Sequence, residues 1–120
     1  MKESHYARSL IEASRDPLVT VSVDGKIMDM NQAMMNMTGL SREVLTGSDF
    51  MEYFTDTIKA REVYKEVFAS GFVKDYPLTM KDHHLTDVLF NGSVYKDDQG
   101  QTLGAVVVAR DITEQRRIES

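Results

Sequence analysis

At 120 residues the chain is sized for one compact domain, and its 42% apolar and 28% charged residues are ordinary globular usage. No run approaches the roughly 18 apolar residues of a membrane-spanning helix, the opening Met1-Lys2-Glu3-Ser4-His5-Tyr6 lacks the apolar stretch of a secretory signal, and the absence of cysteine excludes disulfides and thiolate chemistry. A net charge of −5, with Arg116-Arg117 as the one dense basic pair beside two glutamates, argues against nucleic acid as a partner, because phosphate recognition needs clustered Lys and Arg. A chain of this size buries a core without staples, and cysteine-free composition suits a reducing cytoplasm, the expected location.

Residues 4–14 place Tyr6, Ala7, Leu10 and Ile11 on one helical face, and Asp16-Pro17 stops that helix, since a residue before proline avoids the helical region. Residues 18–23 alternate apolar and polar as a half-buried strand does; Asp24-Gly25 is a hairpin turn and residues 26–29 return. Short helices come next. Asn31 caps residues 32–38 and Gly39 stops them; Ser41 caps residues 42–45, closed by Gly47; a third piece covers residues 49–54. The long helix, residues 56–70, ends at Gly71, with Ala60, Val63, Tyr64, Val67 and Phe68 at the spacing of a core-facing stripe. Three strands follow at residues 72–80, 86–95 and 102–110, the first carrying Pro77, which suits an edge or a bulge.

Five strands with the helices grouped between the second and third predict an α+β fold, a five-stranded antiparallel sheet with helices on one face. The space between the two layers could hold a small ligand. After the last strand, Asp111-Ile112-Thr113-Glu114 has capping-box spacing, with Asp111 and Glu114 satisfying each other's end of a new helix. Barely two turns then remain, too few to be stable alone. The reading is a connecting helix that runs on into a neighbouring domain; the alternative is a capped helix docked on this one.

The order of elements resembles the PAS fold, and strings along nearly the whole chain match PAS sensor-box sequences. They include Asn31-Gln32-Ala33, Thr38-Gly39-Leu40-Ser41-Arg42-Glu43-Val44-Leu45-Thr46-Gly47, Val67-Phe68-Ala69-Ser70-Gly71-Phe72-Val73, Asp75-Tyr76-Pro77-Leu78, Asp87-Val88-Leu89-Phe90-Asn91-Gly92-Ser93-Val94-Tyr95 and Ala109-Arg110-Asp111-Ile112-Thr113-Glu114. The resemblance implies residues 1–15 as an N-terminal amphipathic helix, 16–110 as the PAS core and 111–120 as the start of a signalling helix. It implies a cytoplasmic input module that binds a small ligand or mediates homodimerisation, and that signals to a covalently linked output domain such as a histidine kinase or a cyclic-di-GMP enzyme. Asp111 and Thr113, with Glu114, are the hinge it implies. Two departures stand out: Asp82-His83-His84 where the family carries Asp-Gly, and Phe90 where family members carry tyrosine.

The ligand-pocket candidates are Met30, Met34, Met37, Tyr64, Phe90 and Asn91. Methionine adapts to irregular apolar space, so the cluster Met28, Met30, Met34, Met35 and Met37 fits either a pocket wall or plain core. Asn91 needs hydrogen-bond partners within an apolar strand, from a ligand or from a cross-strand backbone group. The cofactor stays unassigned. Cysteine-adduct flavin and covalent chromophores need a thiol, and haem-binding relatives take a histidine from the long helix, which has none. No metal site is expected: His83 and His84 are adjacent and would point to opposite faces of a strand. There is no phosphate loop, nucleophile elbow or zinc-binding His-Glu-x-x-His, and Asp97-Asp98 lies in a turn, so the domain itself is read as no enzyme. The rival readings are a ligand-free interaction module and, from another class, a small-molecule enzyme without a motif.

Overall fold

The computed structural model describes residues 14–81 and 85–112. The expected N-terminal helix, His83 and His84, and the Thr113–Glu114 part of the hinge with its connecting helix lie outside the described residues. In chain order the elements are β1 (Leu18–Ser22), β2 (Ile27–Met30), α1 (Gln32–Thr38), α2 (Arg42–Leu45), a 3-10 turn (Phe50–Tyr53), α3 (Thr57–Ser70), β3 (Phe72–Lys81), β4 (Leu85–Lys96) and β5 (Thr102–Asp111). The strands form one antiparallel sheet in the order β2-β1-β5-β4-β3. The α+β architecture expected from the pattern is the one observed.

Local chemistry sets the helix ends. The Asn31, Ser41 and Asp56 side chains accept from the Met34, Val44 and Lys59 amides, as N-caps do. Asp49 accepts from the Met51 amide and starts the 3-10 turn. Gly71 ends α3 at φ 92°, a left-handed conformation that costs a side chain but not glycine. α3 turns Ala60, Val63, Tyr64 and Val67 inward, the predicted stripe, with Phe68 packed at its margin.

The helices lie on one face of the sheet, α3 against β3 and β4, α1 against β1, α2 against β2. Pro77 lies in β3, which is an edge strand, so its missing N–H costs no ladder bond at the sheet centre. The strand bulges between Val73 and Tyr76, where Asp75 takes φ 54°. Between the layers sits one apolar core, in which Phe50, Phe54, Phe90, Met30, Met34, Leu45, Met51 and Met80 are fully buried.

Candidate functional site

Four of the six pocket candidates meet in this core. Met30 and Phe90 are 0% exposed, Met34 1% and Tyr64 6%. Met37 is half-buried at the edge of the same cluster. The space they share is occupied by side chains. Phe50 and Phe54 stack edge-on at 5.2 Å, and Phe54 meets Phe90 at 6.4 Å, an aromatic chain running from the 3-10 turn to the middle of β4. Beneath it, a β-carbon on Gly92 would lie 2.9 Å from both the Phe90 ring and a Val67 methyl, so glycine is what lets α3 and Phe90 close onto the sheet. The methionine cluster divides: Met30 and Met34 are core, Met35 and Met37 border it, and Met28 is 39% exposed.

Tyr64 closes one end of the core. Its hydroxyl lies against the carbonyls of Val21 (3.2 Å) and Ser22 (2.5 Å) at the end of β1. Burial, then the neighbouring Tyr95 and Asp24, raise its pKa well above the ordinary tyrosine value. Asp49 fastens the helical layer. Burial pushes its carboxyl up, but the Arg61 guanidinium at 2.8 Å, the Met51 amide and the charge of Lys26 outweigh that and hold it low.

Asn91 departs from the pocket set. Successive strand residues face opposite ways, so with Phe90 inward Asn91 lies on the outer face of the sheet. Its carboxamide oxygen accepts from the Asp75 amide at 3.0 Å and its nitrogen donates to the Leu89 carbonyl at 3.3 Å, so it holds the β3 bulge. Around it the outer face is a shallow trough of about 440 Å³ lined by Phe72, Val73, Lys74, Ser93, Val106 and Val108. Phe72 is 63% exposed there.

Two features add to the expected site residues: Asn31, which was not among them, and Ile112 at the exit of β5, next to the expected hinge residue Asp111. Asn31 is fully buried, and besides capping α1 its oxygen accepts from the Leu18 amide at 3.0 Å while its nitrogen donates to the Ser14 and Asp16 carbonyls at 3.2 and 2.9 Å. The other is the exit of β5. Asp111 ends the strand opposite Val88; Ile112, only 8% exposed, donates its amide to the Asp87 carbonyl at 3.1 Å. The Thr79 hydroxyl donates to the Asp87 carboxylate at 2.8 Å, and these residues line a groove of about 90 Å³ with Pro77, Leu78 and Val88. In the sequence Ile112 stands as an apolar residue inside the polar run Arg110-Asp111-Ile112-Thr113-Glu114, part of a string that matches PAS sensor-box sequences.

Among the described residues, no three His, Asp or Glu side chains gather as metal ligands, and no helix is long and apolar enough to cross a membrane. The arrangement offers packing and backbone coupling.

Known structures share this architecture. The PAS domain of a protein from Colwellia psychrerythraea superposes with a TM-score of 0.81 at 20% identity, over 95% of this chain and 99% of that one. A PAS domain from a two-component sensor histidine kinase gives 0.76 at 17% identity, over 92% and 96%. The PAS domain of BvgS from Bordetella pertussis gives 0.71 at 18% identity, over 97% and 90%. At these identities the likeness shows the fold alone. No curated protein sequence matches the chain. A family model described as PAS domain matches residues 15–114, the span that holds the sheet, the capped helices and the exit of β5. The chain belongs to the PAS domain family, whose fold serves sensing and signal relay.

Proposed function

We propose that this PAS domain works as a signal relay with a closed core, passing a change in how its helices sit on the sheet to the segment that follows β5. The observation that carries this reading is the filling of the interlayer space: four of the six residues expected to line a pocket are buried among one another's neighbours in the core, and Gly92 leaves no room there even for a β-carbon, which would come within 2.9 Å of Phe90 and Val67. Interiors packed this densely switch between discrete arrangements and do not deform smoothly. The output, on this reading, is a histidine kinase or cyclic-di-GMP enzyme linked C-terminally, with Asp111, Thr113 and Glu114 at the hinge and the whole acting in the cytoplasm. The sensor histidine kinase that carries a similar PAS domain supports that context. Native mass spectrometry and an absorption spectrum of the purified domain test the closed core. The expected mass is that of the bare polypeptide; a stoichiometric copurified molecule would refute it and return the ligand-sensing reading.

The same proposal includes pairing of two copies through the outer sheet face. Its centre (Leu18, Thr20, Leu89, Asn91, Val106, Val108) bears no charge, and Lys74 and Arg110 lie toward its rim, the layout of an interface. In sedimentation velocity, Phe72→Glu is expected to shift dimer to monomer with the fold unchanged. A monomeric parent protein would remove this part of the reading.

A further inference from the structure

Thr79 joins two parts of the molecule, and its partner Asp87 reaches a third. The Thr79 carbonyl accepts from the Thr55 amide at 2.9 Å, and the residue beside each partner makes a second link, an isolated antiparallel bridge between Phe54 and Met80. The end of the 3-10 turn is thereby fastened along the free edge of β3. Its hydroxyl donates to the Asp87 carboxylate at 2.8 Å, across the β3–β4 pair. Asp87 in turn accepts, through its carbonyl, the amide of Ile112, the first residue past β5.

The position of these groups matters as much as their number. Leu78, Met80 and Val88 are buried against the helices, so alternation puts Thr79 and Asp87 on the opposite face, where Ile112 also packs. The sheet therefore stands between the aromatic chain and the exit. The hydrogen-bonded connection runs around its edge, from Phe54 and Thr55 to Thr79, Asp87 and Ile112. We infer that the Thr79–Asp87 pair is the positioning element that couples the aromatic core to the exit of the chain. The inference rests on the relay reading and names its route. A hydrogen bond tolerates little change in length or angle, so a shift of Phe54 that moves Thr55 moves Thr79, and Asp87 carries the displacement to the Ile112 amide. A cross-strand pair that only stabilised the sheet would have no such dependence on Phe54.

A double-mutant cycle on the 120-residue protein separates the two. Amide hydrogen exchange is followed by NMR at Ile112, with the Ala109 amide of β5, bound to the Pro17 carbonyl at 2.9 Å, as reference. Thr79→Val removes the hydroxyl and keeps the shape; it is expected to speed Ile112 exchange about fivefold relative to Ala109, the effect of one lost hydrogen bond, and Thr79→Ser is expected to restore it. Phe54→Leu is expected to speed Ile112 exchange in the wild-type background and to add nothing in the Thr79→Val background. Equal effects of Phe54→Leu in both backgrounds would overturn the inference. Should Thr79→Val not fold, the same cycle is run with Asp87→Ala. A copurified ligand would sink the closed-core relay while leaving the cycle readable, and additive effects with an empty core would sink only the route.

Discussion

Replacing Asn31 by alanine tests whether one buried carboxamide ties three segments together. The side chain makes two acceptor bonds, from the Leu18 and Met34 amides, and two donor bonds, to the Ser14 and Asp16 carbonyls, all within 3.2 Å. Loss of the α1 cap is worth about 1 kcal/mol. The other three bonds bind half-buried backbone groups that water re-solvates in part, at about 0.5–1 kcal/mol each by the usual net value of a hydrogen bond. The sum is about 3 kcal/mol, a large share of the roughly 5–15 kcal/mol that holds a domain together. At about 4 °C per kcal/mol for a chain of this size, the melting temperature is expected to fall by about 12 °C. Urea unfolding followed by circular dichroism measures the loss, and Asn31→Ser, which keeps only the cap, is expected to recover about 1 kcal/mol. If Asn31→Ala loses no more than the cap alone, the junction is not held by this side chain and the reasoning is wrong.

Gly92→Ala is expected to destabilise by about 1–2 kcal/mol, because overpacking against Phe90 and Val67 exceeds the gain from replacing a strand glycine. Adding Val67→Ala, which vacates the methyl site, should make the double variant more stable than the sum of the two losses; strict additivity in chemical denaturation would contradict the close contact. Tyr64 makes a pH prediction: its raised folded pKa means that the stability it contributes is fully present below the ordinary tyrosine pKa near 10 and is lost as pH rises through the folded value. In an ultraviolet titration of the five tyrosines, one is expected to ionise last and together with unfolding, and Tyr64→Phe to delete that step. Ionisation of all five near pH 10 in a folded protein would refute it.

What the sequence determined by itself was local. Asn31, Ser41 and Asp56 announce helix starts and Gly39 and Gly71 helix ends because a cap involves only neighbours a turn away. The α3 stripe and the strand alternation follow from the 3.6- and 2-residue periods, and Pro77 already pointed to an edge. Alternation also bears on Asn91: two adjacent strand residues cannot both face the core with Phe90 inward, and of the two expected partners, a ligand or a cross-strand backbone group, it meets the backbone one. What only the tertiary structure decided was which distant backbone each group meets. The pairing of β1 with β5, Leu18 opposite Val108, joins segments whose local patterns carry no address for one another. The second set of partners for Asn31, the Thr55 bond along the β3 edge and the burial of Ile112 likewise arise only where the fold brings separate segments together. Periodicity fixes the face a side chain takes on its own strand, but the neighbour across a sheet or around its edge is set by the closure of the whole chain.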